Sequence, residues 1–341
     1  MSRRVGPPPS AADPFAAATD RFRDDLTSLH LDDDAPLLLA VSGGADSMAM
    51  LALAHAAALP GGIAVATVDH RLRADAAAEA GLVADYSATL GVPHVTLTPA
   101  DRIAGASIQA QARAARYALL ADHARHIGAA AIATAHHVDD QAETFLMRAG
   151  RGSGLSGLGG VRTTTEINDS RIVRPLLDWR RAELRAIVRG RDIPFVDDPS
   201  NRDPAHDRTR YRQLLDANEW LGPAQIARSA MALAEADANI RAMVDWAWRT
   251  RTISTGSLVD IDIDGLPREL LRRLARRGVA TVRDRAGIAE PAFGEATNVE
   301  PLLDALADGR RASQSGVTVA AQGTRHGMRW RFRPAPPRRG H

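Results

Sequence analysis

Between Pro36 and Asp46 the chain reads PLLLAVSGGAD: an unbroken apolar run stops at two glycines and an acid, and SMAMLALAHAAAL follows with helical composition. No other feature restricts the fold as much. An apolar run without polar alternation is buried on both faces, which is the condition of a strand inside a parallel sheet covered by helices. The pattern recurs in GIAVATVDH, HVTLT and AAIATAHH, each preceded by an alanine-rich stretch. The expected fold class is therefore α/β, a doubly wound parallel sheet. Ligands of such sheets sit beyond the carboxyl ends of the strands, where Ser42, Gly43, Gly44, Ala45, Asp46 and Ser47 fall. The glycines let the backbone curl into an anion-binding nest, and the Ser42 and Ser47 hydroxyls can donate to phosphate oxygens. A carboxylate beside phosphates is repulsive unless a cation intervenes or the acid takes part in chemistry, and magnesium is the natural cation for Asp46. Taken alone, the same turn also suits a plain helix cap.

Composition narrows the function. The 341 residues contain no cysteine and, since every one of the 43 basic residues is arginine, no lysine. Disulfides, thiolate metal sites, persulfide carriers, Schiff bases and a Walker-type phosphate loop are excluded together. The formal charge is +2, but the arginines cluster, which fits a nucleic-acid or phosphate partner. The start, MSRRVGPPPS, lacks the apolar core of a signal peptide and no run approaches a membrane span, so a soluble, cytoplasmic protein is expected. Residues 1–13 read as a disordered arm and Pro14 to Leu31 as an amphipathic helix. The parallel-sheet pattern fades near Arg212, and a linker is placed at Trp220 to Pro223. Beyond it come a helical segment (Gly222 to Thr250), an alternating strand LVDIDID, a basic helix around Arg272 to Arg277, and the strands VTVAAQ and MRWRFR. This predicts a nucleotide-binding domain over 14–219, a smaller α+β carboxy-terminal domain over 220–335 taken as the RNA-binding part, and a tail over 336–341.

SGGADS matches every fixed position of SGGxDS, the signature of the pyrophosphate-loop (PP-loop) ATP pyrophosphatases, and the chain resembles them. VDHRLR (Val68 to Arg73), ARAARY (Ala112 to Tyr117), TAHHVDDQAETFLMRAGRGSGLSGLGG (Thr134 to Gly160), RPLL (Arg174 to Leu177) and DPSN (Asp198 to Asn201) follow in order. Together they look like the tRNA(Ile)-lysidine synthetase family, over about Pro36 to Leu215. That resemblance implies an enzyme that spends ATP to attach L-lysine to C2 of the wobble cytidine in the CAU-anticodon isoleucine tRNA, releasing AMP and pyrophosphate. ATP and magnesium are the implied cofactors, with Asp46 as the magnesium ligand; tRNA and lysine are the implied partners, and a homodimer is left open.

The residues give that chemistry candidates. On a helix beginning near His137, Asp139, Asp140 and Glu143 share one arc and can hold magnesium or an incoming ammonium; an acidic first turn favoured by the helix dipole is the plain alternative. Asp139 is the candidate general base. His136 and His137 diverge on any regular backbone, so at least one is expected to be structural. Arg113 and Arg116, three apart, point the same way and suit an adenylate or a tRNA phosphate, with Arg113 taken as catalytic on the resemblance. Asp69 either meets a ribose or caps its turn. Arg148 to Gly160 carries two arginines and six glycines and reads as a mobile loop over the site, with Arg151 a candidate for binding lysine or tRNA. Arg208 and Arg212 share a helical face and suit adjacent RNA phosphates. Thr209 stands where the family usually has asparagine. In MRWRFR, alternation puts Arg329, Arg331 and Arg333 on one basic face, whereas Asp260, Asp262 and Asp264 make an acidic face that RNA should avoid.

Other readings fit the same loop. A tRNA-thiolating enzyme would commonly need cysteines, which are absent; an ammonia-using amidotransferase needs no large basic surface; a binding module without turnover has little need of Asp46.

Overall fold

The computed structural model describes residues 13–72, 75–105, 107–197, 207–294, 297–325 and 327–336. DPSN and most of the amino-terminal arm lie outside the described residues. Two compact units divide the chain after Ala234, inside a helix and beyond the 219/220 boundary read from the sequence.

The first unit opens with α1 (Pro14–Thr27) and then alternates β1 (Leu37–Ala40), α2 (Ala45–Ala57), β2 (Ile63–Val68), α3 (Ala76–Thr89), β3 (His94–Leu97), α4 (Ile108–His126), β4 (Ala131–Thr134) and α5 (Val138–Gly150). It continues through α6 (Leu155–Leu158), β5 (Thr164–Ile167), β6 (Ser170–Val173), α7 (Arg181–Gly190), α8 (Asp207–Asp216) and the first half of α9 (Pro223–Arg251). Asp13 belongs to α1, not to an arm, because its Oδ1 accepts the Phe15 N–H at 3.0 Å as the helix cap. The sheet order is β3-β2-β1-β4-β6-β5, parallel except for β5. The four apolar runs supply β1 to β4, and all of β1 and β4 is buried, as two-sided coverage requires. The β5–β6 hairpin was not foreseen: TTEI and SRIV are short and carry polar residues, and the pairing of β6 to β4 and of β5 to β6 makes strands of them.

The second unit holds the rest of α9, β7 (Thr252–Thr255), β8 (Leu258–Asp262), α10 (Arg268–Arg285), α11 (Glu300–Ala307), β9 (Ala312–Gln314), β10 (Val317–Thr324) and β11 (Gly327–Pro334). Its antiparallel sheet runs β7-β8-β11-β10-β9. Val259, Ile261, Trp330 and Phe332 turn inward with the apolar faces of α10 and α11.

Two sequence expectations are corrected here. The basic and acidic strand faces are one face: Arg331 pairs in register with Asp260 and Arg329 with Asp262, and Arg331 grips Asp260 through two N–H bonds of 2.8 and 2.7 Å. Alternation along each strand cannot reveal which strand becomes its neighbour. The basic helix is likewise neutralised, since Arg268, Arg272, Arg273 and Arg277 pair with Glu300, Asp304, Glu269, Asp237 and Asp245.

Candidate active site

The SGGADS turn leaves β1 and enters α2. Gly43 adopts φ +86°, a conformation that L side chains rarely reach, and its carbonyl accepts the Val196 N–H at 2.9 Å. Gly44 caps α2 without a side chain, so the first-turn amides, with no intrahelical partner, face outward as an anion site. The Ser47 hydroxyl donates to the Gly44 carbonyl at 2.9 Å and accepts the Ser42 N–H at 3.1 Å, which braces the curl. A cavity of about 180 Å³ lies in front, lined by Ser42, Gly44, Asp46, Ser47, Arg116, His136, Asp140 and Arg208. A second, of about 200 Å³, shares Ser42 and Arg116 with it and runs along β2 past Thr67, Val68 and His70. Phosphates thus have a cradle and a nucleoside has an adjoining slot.

Asp46 sits in the first turn of α2. Its Oδ2 is 3.4 Å from His137 Nε2, and its Oδ1 is buried without a hydrogen-bond partner. His137 is the cap of α5: its own N–H donates to Asp140 Oδ2 at 3.1 Å and its Nδ1 accepts the Asp140 N–H at 3.3 Å. Burial would lower the His137 pKa, but Asp140 and Asp46 outweigh it and the pKa is raised. His136 takes the opposite course. Burial, reinforced by Arg174, Arg116 and Arg208 against Asp140, pushes it down to about 3, and its Nδ1 lies 2.9 Å from the Thr134 hydroxyl. One histidine binds the acids and its neighbour stays a neutral wall.

The three acids of α5 do share an arc, but arginines already occupy it. Asp139 accepts Arg180 at 3.1 Å and the Arg181 backbone N–H at 2.8 Å. Burial would raise its pKa, yet these bonds hold it below the usual carboxylate range, so Asp139 is a weak base. Glu143 is fully buried and accepts Arg181 at 2.6 Å, Arg212 at 2.8 Å and Arg208 at 3.1 Å. Asp140 faces His137, with Arg208 at 3.8 Å. Arg208 and Arg212 therefore share a face, as their spacing predicts, but the face meets buried carboxylates. Among the described residues no group of three or more His, Asp or Glu side chains forms a metal-holding cluster.

Arg113 and Arg116 flank the Tyr117 ring, their guanidinium carbons 5.0 and 6.0 Å from its centroid. Burial and then Arg113 push the Arg148 pKa down, and burial lowers that of Arg174 against the opposing pull of Tyr117. Among the described residues none of these four arginines has a carboxylate within ion-pair distance, which leaves a cationic wall suited to an anion. Arg151 is elsewhere, paired with Asp207 at 2.5 Å on an exposed surface. Asp69 caps its own turn by accepting the Arg71 N–H at 2.8 Å.

The glycine-rich stretch is more structured than its composition suggests. Residues to Gly150 complete α5, and Leu155–Leu158 form a helical turn. Arg148 donates to the Gly157 and Gly160 carbonyls at 2.7 and 3.1 Å, and the Gln141 amide exchanges two 2.6 Å bonds with the Val161 backbone. Arg180 and Arg181 were missed. The available signal was WRR at a helix start, two cations just where the helix dipole disfavours them, which calls for a local acid partner.

Phosphate cradle, poised carboxylate and nucleoside slot at the switch point of a parallel sheet define a PP-loop, nucleotide-using class of protein. A family model described as PP-loop domain matches residues 17–218. Two similar proteins are the tRNA(Ile)-lysidine synthases of Zymomonas mobilis, 39% identical with 88% of this chain and 89% of the relative covered, and of Novosphingobium aromaticivorans, 40% identical with 95% and 96% covered. The chain belongs to the tRNA(Ile)-lysidine synthase family. Among solved structures, a U34-tRNA thiolase from Methanococcus maripaludis shares the fold, with a TM-score of 0.55 and 17% identity over 65% of this chain and 79% of that one.

Proposed function

We propose that this protein ligates L-lysine to C2 of the wobble cytidine of the CAU-anticodon isoleucine tRNA, using ATP. The observation that carries the reading is the shared pocket: the SGGADS turn, Asp46, Asp140 and Arg208 line one cavity, so an activated nucleotide and an amine can meet there. ATP places its phosphates on the first-turn amides of α2 and on Ser42 and Ser47, with Arg116 opposite and the nucleoside along Thr67 and His70. The buried, unpartnered Asp46 Oδ1 beside that cradle fits a magnesium ion shared with substrate phosphates, the usual arrangement for this cation. When bound, magnesium neutralises charge developing on the phosphates as pyrophosphate leaves.

The cytidine O2 attacks the α-phosphorus, the bond to pyrophosphate breaks, and C2 becomes electrophilic. Arg116, which lines both cavities, faces the anionic adenylate, and Arg113 beside it adds its charge. The neutral lysine amine then attacks C2 and AMP departs with the O2 oxygen. Asp140, which lines the cavity, is placed to receive the charged end of the amino acid, whereas the oxygens of Asp139 are committed to Arg180 and Arg181. Two readings of the block of arginines follow from this. Arg212 holds Glu143, and Arg151 contacts tRNA from its exposed position, outside the catalytic pocket. Cytoplasmic placement fits a tRNA substrate.

Incubated with ATP, magnesium and the isoleucine tRNA, the protein should transfer labelled lysine to RNA, liberate AMP, and ignore norleucine and ammonia. Norleucine fails because it has one amine where the reaction uses two, a neutral one to attack C2 and a charged one to be held. Incorporation of ammonia or sulfur in place of lysine would refute the reading.

A further inference from the structure

The acids that should receive the charged end of the amino acid are balanced before any substrate arrives. Asp46, Asp139, Asp140 and Glu143 carry four negative charges; Arg180, Arg181, Arg208 and Arg212, all within 4 Å of Asp139, Asp140 or Glu143, carry four positive ones, and His137, its pKa raised beside Asp46 and Asp140, adds to the positive side. An ammonium entering that set is a surplus cation at low dielectric, which is unfavourable unless one guanidinium leaves.

The geometry identifies the one that can leave. Arg181 and Arg212 are largely covered, with side chains 16% and 24% exposed, and Arg180 sits on Asp139 outside the phosphate cavity. Arg208 is 46% exposed, holds Glu143 Oε2 at 3.1 Å, and alone of the four lines the cavity in front of Ser42, Gly44 and Ser47. Its departure does not strand Glu143, because Arg181 and Arg212 stay on Oε1. It leaves Glu143 Oε2 with only a long 3.5 Å bond from Arg212 and opens the cavity-facing side of Asp140. A phosphate is the stronger partner for a guanidinium, since it accepts a forked pair of N–H bonds.

We propose that Arg208 is a nucleotide-responsive gate: ATP phosphates draw it off Glu143 and Asp140, and only then do those carboxylates accept the amino-acid cation. This rests on the lysine-ligating reading and adds an order to it, nucleotide before amine. It also assigns Arg208 to the nucleotide and the gate, where its helical spacing alone had suggested the RNA backbone.

The test is equilibrium dialysis of labelled lysine against the full-length protein, without RNA, with and without α,β-methylene-ATP. The analogue should raise lysine affinity by about tenfold or more, and lysine should raise analogue affinity by the same factor, because coupling is reciprocal. Arg208→Ala should bind lysine without nucleotide as well as the parent does with it, and the coupling factor should fall to about one; Arg208→Gln, which keeps the stem, serves if alanine unfolds the chain. Arg212→Ala takes a guanidinium from the same carboxylate but not from the cavity, so it should retain the nucleotide dependence, a split that a merely structural role would not produce. Equal lysine affinity with and without the analogue, full coupling in Arg208→Ala, or lysine binding that appears only on adding tRNA would each overturn the gate. Failure of the complete reaction to attach any lysine would instead defeat the underlying reading.

Discussion

Asp46 and His136 are the residues whose surroundings make the sharpest demands. Asp46 keeps one buried oxygen unpartnered at the mouth of an anion cradle, an arrangement whose electrostatic cost is offset only when a cation binds. Asp46→Asn keeps the shape and removes the charge, so pyrophosphate release should fall by at least about 100-fold, on the scale of losing one preorganised electrostatic group, with an unchanged melting curve; release at the parent rate contradicts the role. His136 titrates far below its unfolded value, at about 3 against 6.5. As pH falls below that unfolded value the unfolded chain binds the proton first, so stability is whole above it and drains away as pH drops toward the folded value. Urea unfolding at pH 8 and pH 4.5 should show His136→Gln losing less stability between the two than the parent; parallel losses would place the acid sensitivity elsewhere.

Elements were legible where their signal was local. The double-glycine turn and the apolar runs of β1, β2 and β4 announce the sheet centre and the switch point, because two-sided burial and a Cβ-free curl leave marks in consecutive residues; β3, at the sheet edge, is only half-buried. The arginine partners were not legible: Glu143 meets Arg181, Arg208 and Arg212 from two other helices, and nothing near Glu143 in the chain encodes that. The same blindness joined the basic and acidic strands into one face. That face yields a test, because Arg277 of α10 is held by Asp245 whereas Arg329 and Arg333 have no ion-pair partner among the described residues. Arg329→Ala and Arg333→Ala should each lower the salt slope of tRNA binding by up to about one charge, and Arg277→Ala should leave it unchanged; the reverse pattern would return RNA contact to the helix. Packing adds a second check at this scale. A Cβ on Gly278 of α10 would come within 2.8 Å of the Phe332 ring, so Gly278→Ala should destabilise the second unit by roughly 1–3 kcal/mol in chemical denaturation, as overpacking does. A neutral result would mean that the ring shifts freely.

Taken whole, the molecule assigns its two units different work. The first carries the nucleotide chemistry on a parallel sheet, with every candidate catalytic group held within it. The second is an antiparallel sheet backed by helices, where Arg268, Arg272, Arg273, Arg277 and Arg331 are spent on its own acids. No helix among the described residues is long and apolar enough to cross a membrane. The central claim is that cytidine is activated as an adenylate before lysine arrives at C2. The most direct measurement is a single turnover with α-labelled ATP and the CAU-anticodon isoleucine tRNA, followed by nucleoside analysis of the wobble position. Without lysine the label should appear on the RNA; on adding lysine it should chase into AMP while the wobble cytidine gains the lysyl group. Label that never reaches the RNA, or a wobble cytidine unchanged while AMP accumulates, would contradict the account.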